Sequence, residues 1–300
     1  EFDPAVDYDD FTMDHSMWEN HVWPILATRN PQAVRLSKRR SSDETCTKPL
    51  YAHALRAGNK QIGLWISLCS NFVAEVTAHA GYDWALIDME HSPNDYFSVL
   101  GQMQAFAASD TTAIVRVEWN DPVAVKRLLD LGAPGLLFPM IQSVEEARKA
   151  VAATRYPPQG VRGVSGATRA TKFGRVTDYV ERVEDETTIL LQLETRHAVE
   201  QAEAIADVDG IHGIFFGPGD IAADIGKVGK PMDAEVWALI KPAAQKLIAK
   251  GVPVGTLVLD PAFATELLNE GFTFVACGTD ASLLAKASDH LLATVKGGLS

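Results

Sequence analysis

The sequence predicts an α/β fold, a (β/α)8 barrel with an irregular N-terminal arm, on three observations. Eight short, almost continuously apolar runs recur along the chain, helical-period stretches separate them, and no Gly-rich dinucleotide fingerprint follows the first run. Continuous apolarity means burial on both faces, as in a parallel sheet covered by helices. Eight strand-then-helix units favour a closed barrel over an open doubly wound sheet. The missing fingerprint removes the usual reason to prefer the open sheet.

Residues 1–48 stand apart. Asp7-Tyr-Asp-Asp10 is acidic, and the stretch 35–43 is basic and polar without apolar periodicity, so 1–48 is assigned to an arm and linker and 49–300 to the barrel. The apolar runs are 62–68, 84–90, 112–117, 135–140, 188–194, 213–217, 252–258 and 272–278. Between them, 121–131 opens with an Asp cap and Pro in the first turn. Ser143 with Glu146 offers a capping box for the next helix. A helix over 239–250 is stopped by Gly251. The excursion 142–187 is the longest, and is expected to form a loop-and-helix insert over the barrel mouth, bringing Ser165-Gly-Ala167 there.

Composition bounds the function. Three hundred residues suffice for one barrel of ~250 residues with an appendage. A net charge of −12 argues against nucleic acid or an anionic membrane as the main partner, though not against an anionic small substrate. No apolar run reaches the ~18 residues of a membrane span, and the acidic start shows no secretory h-region. Cys46, Cys69 and Cys277 are scattered without CxxC spacing, which fits a reducing, cytoplasmic setting.

Strand ends in a barrel converge on the carboxyl-terminal face. The run 188–194 stops at Glu194, and 213–217 leads to Asp220. Two neighbouring strands that each deliver an acid can hold a hard divalent cation between them. Glu194 could instead pair with Arg196, and Asp220 could simply cap a helix. Side alternation puts Gln192 on the face of Glu194. Arg116 lies inside an apolar strand, where a surface role is hard to sustain. Asp88, Glu90 and His91 follow the second strand; His91 is the candidate general base, with Asp88 placed to orient its ring. His212 falls at the amino-terminal end of its strand and Cys277 in the core, so both read as structural. None of the eight runs contains a lysine, which disfavours a Schiff base and favours a metal as electron sink.

The motifs Gly63-Leu-Trp65, Ile87-Asp-Met-Glu-His-Ser-Pro-Asn-Asp95, Val115-Arg-Val-Glu-Trp-Asn-Asp-Pro122, Tyr156-Pro-Pro-Gln-Gly-Val-Arg-Gly163, Gln192-Leu-Glu-Thr-Arg196 and Gly217-Pro-Gly-Asp-Ile-Ala-Ala-Asp224 carry a resemblance. From about residue 49 to 292 the chain resembles the metal-dependent, class II pyruvate aldolases of the HpcH/HpaI family. The resemblance implies reversible cleavage of a 4-hydroxy-2-oxo acid to pyruvate and an aldehyde. It implies Mg, Mn or Co at Glu194 and Asp220, and a homohexamer, a trimer of dimers, in which the last helix swaps between subunits. Pyruvate or oxaloacetate would then meet Arg116 as oxyanion donor, Gln192 as a fixing group and the backbone N–H groups near Gly219 and Asp220. The neighbouring subunit and the loop after Pro158 are expected to select the aldehyde. Two alternatives stay open: macrophomate-synthase-like decarboxylation of oxaloacetate with C–C bond formation, and a non-catalytic barrel used as a scaffold.

Overall fold

The computed structural model describes residues 50–299, and the arm assigned to 1–48 lies outside them. Among the described residues eight parallel strands close in sequence order, β1 (Gln61–Ile66), β2 (Trp84–Asp88), β3 (Thr112–Arg116), β4 (Gly135–Phe138), β5 (Thr188–Leu193), β6 (Gly213–Phe216), β7 (Val254–Leu257) and β8 (Phe274–Thr279). Each coincides with one of the predicted runs. The helices in chain order are α1 (Leu50–Arg56), α2 (Asn71–Ala78), α3 (Tyr96–Phe106), α4 (Pro122–Asp130), α5 (Val144–Thr154), α6 (Tyr179–Glu186), α7 (Arg196–Glu200), α8 (Ala202–Ala206), α9 (Pro218–Asp224), α10 (Ala234–Ala249), α11 (Pro261–Asn269) and α12 (Asp280–Gly297). None of them is long and apolar enough to cross a membrane.

Two cores follow from side alternation along the strands. Outward residues such as Ala85, Ile87, Val115, Leu191 and Phe216 pack against the helices. Inward residues Trp65, Trp84, Leu86, Ile114, Leu137, Leu190, Phe215 and Phe274 fill the barrel. Glycine makes room for the large rings: a Cβ at Gly63 would stand 2.2 Å from the Trp84 ring, and one at Gly255 2.2 Å from Phe274. Helix α1 closes the amino-terminal end, where Tyr51 and Leu55 join this inner cluster and the Tyr51 and Trp84 rings lie 6.1 Å apart. The β1–β8 seam, with a register shift between Gly63 and Trp65, is braced by Asp280. Its carboxylate accepts from Ser67 N and Oγ (2.9 and 2.8 Å) and Leu68 N (3.0 Å).

Caps fix where helices begin. Asp121 accepts from Val123 N, and Ser143 from Glu146 N, as the sequence predicts. The predicted box at Ser143 is only half formed, because the Glu146 carboxylate accepts from Gln142 N (2.7 Å). The helix predicted over 239–250 begins earlier, at Ala234, with Asp233 capping through Glu235 N.

The long excursion is a correction. Helix α5 follows β4 almost at once, so the extra residues come after α5, at the end of the barrel away from the mouth. There Ala170 N donates to Asp130 O (3.1 Å) and Arg169 to Leu131 O (2.7 Å), both at the far end of α4. The buried Arg162 donates to Asp130 Oδ1 (3.0 Å) and lies 4.6 Å from the Tyr156 ring. Ser165-Gly-Ala167 belongs to this segment, with Gly166 O accepting from Thr171 Oγ1 (2.9 Å), and does not cover the mouth of its own barrel.

Candidate active site

The alternation that buries Trp84 and Leu86 inside the barrel points the next inward residue of β2, Asp88, into the mouth. On β3 the same rule turns Arg116 inward above Ile114, and on β5 it turns Gln192 and then Glu194 inward above Leu190. Asp88 and Arg116 are Cα partners across β2 and β3. Arg116 Nε and Nη2 donate to the two Asp88 carboxylate oxygens at 2.8 and 2.7 Å, a bidentate pair. Trp65 Nε1 adds a third donor to Asp88 (3.1 Å), and the Arg116 guanidinium lies 4.9 Å from the Trp65 ring centroid. Burial opposes ionisation of Asp88, but the hydrogen bonds and charge of Arg116 outweigh it and leave the carboxyl below its ordinary value. Burial likewise disfavours the Arg116 cation, and Asp88, Glu90 and Glu194 reverse that, raising its pKa.

The expectation that Asp88 orients the His91 ring is corrected. Both Asp88 oxygens are committed to Arg116, and Oδ1 also accepts from Glu90 N (3.0 Å) and His91 N (3.4 Å). Asp88 therefore shapes the turn that carries His91, while the ring stands 3.9 Å from Glu90 Oε2 and is 65% exposed. Glu90 is the residue sequence reasoning left without a role. It pairs with Arg116 Nη1 at 2.8 Å. Desolvation, with the charges of Asp88 and Asp220, raises its pKa against the pull of Arg116 and His91. Its position at a strand end was the available signal. Trp65 was also missed, although an aromatic on the inward face of the first run is visible in the sequence.

Glu194 is 1% exposed. Its Oε2 accepts from Met140 N (2.7 Å) and its Oε1 from Gln192 Nε2 (2.6 Å), so it neither pairs with Arg196 nor caps a helix; Thr195 is the cap of α7. Met140 adopts a left-handed φ of 52°, uncommon outside glycine, which accompanies the amide bond to Glu194. Desolvation, with the nearby charges of Glu90 and Asp220, pushes the Glu194 pKa to about 8 despite the Met140 bond and Arg116. Gly217 is required beside it, since a Cβ there would stand 2.8 Å from Glu194 Oε1 and 3.1 Å from Gln192 Nε2. Gly219 and Asp220 sit in the first turn of α9, whose N–H groups have no intrahelical acceptor.

A cavity of about 520 Å³ opens over these groups, with the buried Trp65, Arg116 and Gln192 at its floor and the exposed His91, Gly219 and Asp220 also in its lining. Among the described residues no cluster of three or more His, Cys, Asp or Glu stands ready to hold a metal by itself. The donor set nevertheless suits a hard cation. Glu194 is a buried acid crowded by two others, and Gln192 Oε1 is buried with no partner. Magnesium-type ions need only one or two protein carboxylates when substrate and water complete the shell.

A model of the HpcH/HpaI aldolase/citrate lyase family matches residues 61–287. The chain is 50% identical over 243 residues to a pyruvate aldolase of Rhizobium etli, covering 81% of this chain and 96% of that protein. It is 47% identical over 247 residues to a 4-hydroxy-2-oxo-heptane-1,7-dioate aldolase of Salmonella dublin, covering 82% and 94%. The crystal structure of an HpcH/HpaI aldolase/citrate lyase family protein from Burkholderia cenocepacia superposes with a TM-score of 0.80 at 36% identity, over 83% of this chain and all of that one.

Proposed function

The chain belongs to the HpcH/HpaI aldolase/citrate lyase family, and from that premise we propose that it is a class II pyruvate aldolase, cleaving 4-hydroxy-2-oxo acids to pyruvate and an aldehyde. The observation that carries the reading is the buried Glu194, held by Met140 and Gln192 and crowded by Glu90 and Asp220. Glu194 and Asp220 would hold Mg, Mn or Co, with the orphaned Gln192 Oε1 available to the ion or to its water. When bound, such an ion supplies Lewis acidity toward negative charge on the 2-oxo group.

The chain's own residues do the rest. Three Arg116 nitrogens are tied to Asp88 and Glu90, but a guanidinium carries five N–H groups, so donors remain for the keto oxygen where charge develops. Asp88 is a positioning residue that fixes this fork. The N–H groups of Gly219 and Asp220 would receive the substrate carboxylate. In cleavage, His91 takes the 4-hydroxyl proton, the C3–C4 bond breaks to release the aldehyde, and the enolate of pyruvate is protonated at C3. In synthesis the same steps reverse.

The resemblance also points to a homohexamer. In support, α12 leaves Leu283, Leu284, Leu291, Leu292 and Val295 at 49–66% exposure, an apolar surface that another subunit can cover. Light scattering would test it. The activity is tested by deuterium exchange at the pyruvate methyl with and without added Mn(II), together with cleavage of a 4-hydroxy-2-oxo acid. Metal-dependent exchange and cleavage are expected; metal-loaded protein that does neither overturns the reading.

A further inference from the structure

The cavity has two chemical zones. Its floor carries the polar groups described above. Its outer wall is made by the end of β7 and the loops after α9 and β7, which contribute Leu257, Pro231, Met232, Leu259 and Asp260. Met232 and Leu259 are half exposed, and Asp260 is exposed. Asp260 caps α11, with Oδ1 accepting from Ala262 N (3.0 Å). Arg116 is the one lysine or arginine lining the cavity among the described residues, and Asp88 and Glu90 already neutralise it.

An aldehyde approaching pyruvate on the floor meets this chain's side of the throat along this wall. A hydrocarbon tail buries surface against Met232, Leu257 and Leu259, at roughly 25 cal/mol per Å². A tail ending in carboxylate loses hydration, meets no free lysine or arginine among this chain's described residues there and approaches the charge of Asp260. We propose, building on the aldolase reading, that this wall selects neutral, apolar aldehydes over aldehydes with a distal carboxylate, and that Asp260 is a specificity-determining residue. The relative named for heptane-1,7-dioate acts on a compound whose aldehyde half carries such a carboxylate, so the two proteins would divide on this point.

The experiment compares butanal with succinic semialdehyde, matched in carbon number, as acceptors for pyruvate on the full chain loaded with Mn(II). Wild type is expected to favour butanal in kcat/KM by roughly tenfold. Asp260→Asn keeps a competent helix cap while removing the charge. It should move the ratio toward succinic semialdehyde by about threefold at low salt, the scale of two like charges several ångströms apart in water. High salt should shrink that shift. Deuterium exchange at the pyruvate methyl is run on both proteins. Its absence in wild type sinks the aldolase reading itself. If exchange is intact, a wild-type preference for succinic semialdehyde, or a ratio that Asp260→Asn leaves unmoved, overturns the inference alone.

Discussion

Arg116 and Asp88 face each other at the same level of adjacent parallel strands and join through two hydrogen bonds of 2.8 and 2.7 Å. A one-residue change of register on either strand would turn one of them outward, so the barrel's closure sets the geometry of the pair.

Arg116→Ala should lower turnover by ~10²–10³ fold, the scale of one lost oxyanion donor. Arg116→Lys should recover little, because an ammonium cannot reproduce the fork. Steady-state cleavage kinetics check both. Near-normal turnover in the alanine variant would remove Arg116 from the mechanism.

Glu194→Gln preserves shape and the Met140 bond but removes the charge. Calorimetric titration with Mn(II) should show affinity reduced by about 100-fold or more, beyond the effect of disturbing an outer partner. Chelation should silence wild type, and Mn(II) should restore it. Unchanged affinity in the variant would refute the ligand assignment.

Gly217→Ala would put a methyl 2.8 Å from Glu194 Oε1. The carboxylate must move by a fraction of an ångström or more, and misplacement on that scale costs up to about 10²-fold in rate. Circular dichroism should show a folded barrel while cleavage falls. A fully active variant would mean that Glu194 has room the structure does not show.

His212 links stability to pH. Burial lowers its pKa to about 4, aided by the charges of Arg56 and Arg155. The Arg56 guanidinium sits 2.9 Å from Nε2 and the Ile189 amide donates to Nδ1, so a proton added at Nδ1 would meet the Ile189 N–H and place a cation beside a guanidinium. The unfolded chain binds that proton near pH 6.5. Stability from His212 is therefore complete above pH ~6.5 and is lost as pH falls toward 4. Urea unfolding at pH 7.5 and 5.0 should find the gap between wild type and His212→Gln narrowed by about 2 kcal/mol at the lower pH. An unchanged gap would contradict the depressed pKa.

Much of this was legible in the chain. Eight two-sided apolar runs announce eight buried parallel strands, and strand-end polar residues announce the mouth. Gln192 and Glu194 could be placed on one face by counting in twos. What the sequence hides is pairing across strands. Asp88 is three residues from His91 but is register partner to Arg116, twenty-eight residues away, and closeness along the chain does not reveal that partner. Glu90 went without a role for the same reason. The excursion was misplaced because its length says nothing about which side of α5 the extra residues occupy, and that side decides the end of the barrel they reach.

Tyr51 and Leu55 of α1 join the rings that pack the barrel interior, so among the described residues the site opens at the carboxyl-terminal mouth. Pyruvate would occupy the blind end and the aldehyde the throat above it. Departure must then follow a queue: the aldehyde leaves first, and pyruvate only afterwards. Product-inhibition kinetics of cleavage should accordingly show pyruvate competing with the hydroxy-oxo acid for the empty enzyme and the aldehyde acting noncompetitively.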